Sequence, residues 1–147
     1  MRGIPLEERK ALGGLLEQQP QEEVMARIPQ FWEAETGSFS PPPKAAAKEL
    51  GALMFNMERG VHLPEIQEFL RDCPEAQPLD LILANELDDG CARSGNRNTA
   101  RELAKSFGLN YAWGLEFIEL VNDENKKGFH GNAVFSRWPI RRAGVIR

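Results

Sequence analysis

Cysteine and histidine are scarce in this chain, with two residues of each. Cys73 and Cys91 lack C-x-x-C spacing, which excludes a zinc site built from paired cysteines and leaves either two free thiols in a reducing compartment or a single disulfide. No apolar run reaches the roughly 18 residues a membrane helix needs. The opening segment, Met1 to Glu8, carries acids where a secretory signal needs an apolar centre, so a cytoplasmic protein is the expectation. Positive charge is not in excess either. Eighteen bases face 22 acids for a net charge of −4, which argues against a nucleic-acid binder that works by bulk electrostatics.

What is present is an ordinary globular composition, 41% hydrophobic and 27% charged over 147 residues. A chain of this length buries roughly two-thirds of its unfolded surface, enough for one real core. Charge is unevenly spread. Residues 61–90 hold eight acids against Arg71, and residues 126–147 hold six bases and no acid. Either two solvated surfaces or an anion-binding face beside an acidic cleft would produce that asymmetry.

Residues 1–45 are expected to form a helical N-terminal extension with a Pro-rich linker. Leu12, Leu15 and Leu16 have helical spacing, weakened by Gly13 and Gly14. Val24, Ile28, Phe31 and Trp32 form a second helical stripe, with Phe31 and Trp32 packing on the domain. Pro41, Pro42 and Pro43 favour an extended linker.

Residues 46–147 alternate between strand and helix patterns. Strands are expected at 52–57, 80–86, 111–117 and 132–136, with a fifth beginning at Val145-Ile146 and offering an open sheet edge for self-association. One helix opens at His62-Leu63-Pro64, where proline suits the first turn. Another runs from Asn98 to Phe107, capped by Ser94 or Asn96 and stopped by Gly108. Residues 122–128 read as a flexible polar turn. The order implies a layered α/β (α+β) sandwich, a mixed sheet flanked by helices, with antiparallel pairing among the last strands.

The chemistry concentrates at two strand ends. Phe55-Asn56-Met57-Glu58-Arg59-Gly60 closes the first strand and Asn85-Glu86 closes the second. An amide and an acid at neighbouring strand ends suit a hard divalent cation next to a phosphate. Further residues have both a functional and a plain reading. Asp88 shares a cation through water, or lies in an Asp-Asp-Gly turn. Arg93, Arg97 and Asn98 contact substrate phosphate at a helix start, or cap and solvate it. His130 and Asn132 line a cleft, or are a loop histidine and a turn asparagine. Glu58 and Arg59 pair at the surface or touch substrate. Arg137 and Trp138 stack structurally.

These motifs, together with Gly131-Asn132-Ala133-Val134-Phe135-Ser136-Arg137-Trp138-Pro139-Ile140, resemble the endonuclease/exonuclease/phosphatase superfamily over roughly residues 50–147. The last run is similar to the family's strand ending in Ser-Arg-x-Pro. The resemblance implies a partial domain at 46–147, with Asn56 as a catalytic residue and Glu86 as ligand to Mg2+ (or Mn2+). It also implies a phosphoester substrate: nucleic acid, lipid headgroup or sugar phosphate. The family's later Gly-Asp-x-Asn and Ser-Asp-His motifs are absent from this sequence. The expectation is therefore the N-terminal part of a metal-dependent hydrolase, with little or no turnover alone. A non-catalytic module that binds a partner protein is the alternative, and a nucleic-acid-binding module using residues 126–147 is a third reading.

Overall fold

The computed structural model describes residues 1–41 and 49–146. Pro42, Pro43 and the expected boundary at 45–46 lie outside the described residues. The elements are α1 (Leu6–Leu16), α2 (Gln21–Met25), β1 (Ala34–Gly37), β2 (Ala52–Arg59), α3 (Leu63–Asp72), β3 (Leu81–Asp89), α4 (Thr99–Phe107), β4 (Asn110–Ile118) and β5 (Phe129–Ser136). They make an α+β fold around one five-stranded mixed sheet in the order β1-β4-β5-β3-β2.

Alternation explains how the strands sit. In β5, Phe129, Gly131, Ala133 and Phe135 are buried while Asn132 and Val134 are exposed, the period-2 pattern of a sheet with one covered face. Helix α4 packs on β3 and β4, and α3 packs on α4. Their apolar stripes, Leu63 and Leu70 from α3 and Ala100, Leu103 and Ala104 from α4, join Ile82, Ala84, Tyr111 and Phe135 in the core. Local chemistry sets the helix ends. Pro64 lies in the first turn of α3. The Asn98 side chain accepts the Arg101 N–H at 2.8 Å to start α4, so this residue, rather than Ser94 or Asn96, is the cap. Gly108 at φ 60° ends α4 in the left-handed conformation glycine adopts without penalty.

The strands on either side of α3 pair in parallel, β2 against β3, as the intervening helix demands. β5 then inserts between β3 and β4, antiparallel to both. Two expectations about strands need correction. Residues 145–146 form no strand, and the fifth strand is β1, from the N-terminal segment, paired antiparallel with β4 from Ala34↔Gly114 to Gly37↔Tyr111. The four-residue length of β1 and the glycine at its end left too short a pattern for periodicity to register.

The expected second helix is also shorter than its stripe. α2 ends at Met25, and Pro29–Trp32 makes a separate 3-10 turn that buries Phe31 and leaves Trp32 half exposed, because Pro29 cannot continue a helix. Ile4, Leu12, Val24 and Ile28 nevertheless belong to the same core as the sheet. No helix among the described residues is long and apolar enough to cross a membrane.

Candidate functional site

Asn56 and Glu86 meet. The Asn56 Nδ2 donates to Glu86 Oε1 at 2.9 Å, across the parallel pair in which Asn56 lies opposite Asn85. The other end of the same amide is also used, since Asn56 Oδ1 accepts the Glu58 N–H at 2.8 Å. With its oxygen engaged by a backbone donor, the amide must turn its NH2 toward the carboxylate.

The backbone here is unusual. Glu58 (φ 45°), Arg59 (φ 64°) and Glu86 (φ 57°) are three of the four non-glycine residues in the left-handed region among the described residues. Such residues cost of order 1 kcal/mol each and tend to collect where a site over-determines them. Register slips accompany them: β2 against β3 after Asn56, and β3 against β5 between Ala84 and Leu87. A bulge of this kind re-aims a side chain out of the regular pleat. At Glu86 it turns the carboxylate toward Asn56. The two residues do not close their strands as expected, because β2 runs on to Arg59 and β3 to Asp89.

Asn132 is the third member. Its Oδ1 accepts the Glu86 N–H at 3.1 Å, and its Nδ2 donates to Glu116 Oε2 at 3.2 Å. Glu116 was not legible as a site residue. The only trace in the sequence is an acid inside the otherwise apolar run of β4.

Glu86 Oε2 takes no hydrogen bond from the described residues, so one oxygen of the acid is available. A hydrated Mg2+ or Mn2+ fits this donor set, because magnesium accepts one or two carboxylates and keeps several waters. No group of three or more acidic, histidine or cysteine side chains among the described residues is arranged to hold an ion. The fit is therefore to a cation that remains largely hydrated and shared with a ligand.

The other candidates lie elsewhere. Asp88 is fully buried and saturated: Arg93 donates to both its oxygens at 2.8 and 2.9 Å, His130 Nδ1 lies 2.8 Å from Oδ1, and Ser94 donates to Oδ2 at 3.2 Å. A carboxylate only accepts, so His130 carries its proton on Nδ1. Burial pushes the Asp88 carboxyl up, but the hydrogen bonds from His130 and Arg93 and their charges outweigh it and hold the group below the usual carboxylate range. Asp88 and Asp89 extend β3 rather than forming a turn.

Arg93 also pairs with Glu119, whose second oxygen accepts Asn125 Nδ2 at 2.6 Å. Buried Arg9 from α1 closes this network on the carbonyls of Glu119 and Asn125, both at 2.8 Å. The 122–128 segment is thus pinned rather than loose. Sequence reading missed Arg9 because an arginine on a weakly amphipathic helix looks solvated.

Arg97 donates to the Ser94 carbonyl at 2.9 Å, and Asn98 donates to Glu35 at 2.8 Å while capping α4. Neither Arg93, Arg97 nor Asn98 is presented as a free anion-binding group. His130 is buried and stacked on Phe117 with centroids 4.4 Å apart. Lys127 pairs with Asp89 at 2.6 Å and Arg137 with Asp80 at 3.0 Å, so the basic segment is partly neutralised. Arg137 does lie over the Trp138 ring, 4.8 Å from its centroid.

A hollow of about 500 Å³ opens on the uncovered sheet face under residues 140–145. It touches the site only through Asn85 and Asn132, and Glu86 does not line it. Compared with known proteins, the chain matches no family model, no curated protein and no solved structure.

Proposed function

We propose that the chain is, or is part of, a divalent-metal-dependent phosphoester hydrolase, and that it acts in the cytoplasm. The observation that carries this reading is the 2.9 Å contact between Asn56 and Glu86 on two neighbouring parallel strands, with the acid set in a bulge. The superfamily resemblance of Asn56, Glu86 and the Ser136-Arg137-x-Pro139 run adds to it.

Glu86 would hold Mg2+ or Mn2+ through its free oxygen, and the bound ion would polarise the phosphoryl group and stabilise the leaving oxygen. Asn56 steadies the carboxylate and offers an amide N–H for a phosphate oxygen. His130 is buried and engaged with Asp88, so it is not available as a general base, and the other histidine, His62, stands at the start of α3. Low or absent turnover by this chain alone is therefore part of the proposal. A magnesium titration followed by amide NMR tests it. Shifts centred on Glu86 and Asn56 that vanish in Glu86→Ala are expected, and a flat titration sinks the reading.

A second reading, a non-catalytic module for protein association, is favoured by one observation. The sheet face that residues 140–145 cover in part exposes Met54 (75%), Leu83 (41%) and Val134 (39%) on adjacent strands, next to the free edge of β2. Apolar patches of that kind commonly mark contact surfaces. The edge concerned is β2, not residues 145–146. Sedimentation analysis decides this reading: a monomer at high concentration whose mass does not change with Met54→Lys speaks against it for self-association.

A further inference from the structure

Asn132 lies between two bulged strands and bonds to the extra residue of each. On one side β3 slips between Ala84 and Leu87, opposite Ala133 and Gly131 of β5. On the other, β4 slips between Leu115 and Phe117, opposite Gly131 and His130. The residues left out of the pairing with β5 are Asn85 and Glu86 on β3 and Glu116 on β4. Two independent bulges converging on one side chain is more than a surface contact between an amide and an acid.

The hydrogen bonding is directional. The Glu86 N–H needs an acceptor, and Asn132 Oδ1 supplies it at 3.1 Å. That fixes the amide, so its NH2 faces β4 and meets the Glu116 carboxylate at 3.2 Å. Without an acceptor there, the amide could rotate and release the Glu86 N–H. Glu86 would then be free to leave the left-handed conformation (φ 57°) that aims its carboxylate at Asn56.

We propose that Glu116 is a positioning residue for the cation site: through Asn132 it locks the backbone of Glu86, and it acts as a hydrogen-bond acceptor rather than as a charge. The inference rests on the hydrolase reading for its functional meaning. Loss of a group bonded directly to a metal ligand, as Asn132 is to Glu86, commonly changes affinity 10- to 100-fold, and Glu116, one step further out, falls at the low end of that range.

The test compares Glu116→Gln, which keeps an acceptor oxygen and removes the charge, with Glu116→Leu, which removes both. Manganese and magnesium affinities are read by calorimetry, and the Glu86 backbone amide and Asn132 side-chain amide are read by NMR in metal-free protein. Glu116→Leu should weaken ion binding roughly 10-fold and shift both amide signals, and Glu116→Gln should preserve both. Equal loss of affinity in the two variants would mean that charge matters and overturns the proposal. Unmoved amide signals in Glu116→Leu also overturn it. If the unmutated chain takes up neither ion, the hydrolase reading falls, while the metal-free spectra still decide whether Glu116 positions Glu86. Glu116 is exposed, and matched thermal melts would show that the variants fold.

Discussion

Two acids two residues apart on β3 have opposite fates. Glu86 sits in a bulge within the strand, touched by two neutral amides and with one oxygen free. Asp88 is sealed from solvent and meets an arginine, a histidine and a serine. The first is held in place without being used up. The second is consumed by the fold. Chemical identity does not separate them; burial and partner count do. A buried carboxylate needs charged partners to offset its desolvation, and those partners leave it no capacity for a ligand. A half-buried one such as Glu86 can be oriented by amides at little cost and remain reactive.

The largest expected effect comes from removing each acid in turn. Asp88→Ala leaves Arg93 and His130 facing a cavity and should destabilise the fold by about 3 kcal/mol, seen as a lowered midpoint in urea. Glu86→Ala should change stability by less than about 0.5 kcal/mol and abolish ion binding. If the two stability losses are equal, the contrast between a structural and a free carboxylate fails.

A smaller effect tests how far the sealed network reaches. Arg9→Ala leaves buried carbonyls at Glu119 and Asn125 unpaired and should cost about 2 kcal/mol by the same measurement. No loss would mean that α1 is merely attached to the sheet rather than part of its polar interior.

The third prediction concerns acid. Because the Asp88 carboxyl is held below its ordinary value, its contribution is complete above the unfolded value of about 4 and disappears as pH falls through the folded value. Asp88→Asn should therefore flatten the acid limb of stability against pH below about 4. An unchanged limb in Asp88→Asn would place the acid sensitivity elsewhere.

The smallest effect is read at the two thiols, both free. Cys91, buried beside Asp88, has its thiol pushed up to about 12, first by burial and then by the Asp88 charge. Cys73 is partly exposed. Ellman's reagent at pH 8 should label one thiol of the native protein, and the second only on unfolding. Two fast thiols would show that the neighbourhood of Asp88 opens readily.

Much of this arrangement was legible in advance. Short apolar runs at 52–57 and 80–86 located β2 and β3, and the amide and acid singled out there do touch. The roles offered for Asp88 and His130 were not decidable from sequence, because a polar residue at a strand end reads the same whether it faces solvent or another strand. Glu116 and Arg9 were missed for a related reason. Their partners lie 16 and more than 100 residues away in the chain, and no local pattern encodes such a pairing.

The chain's own order of residues determined where most of the strands and helices form, which faces are apolar, and that an asparagine and a glutamate follow successive apolar runs, since all of these follow from short-range patterning and capping. Tertiary structure alone decided that β5 lies between β3 and β4, that β1 joins the sheet from the N-terminal segment, and that bulges on two strands face Asn132. Pairing between strands depends on long-range packing of side chains on both faces of the sheet. Hence which acid stays free is settled only when the whole sheet closes.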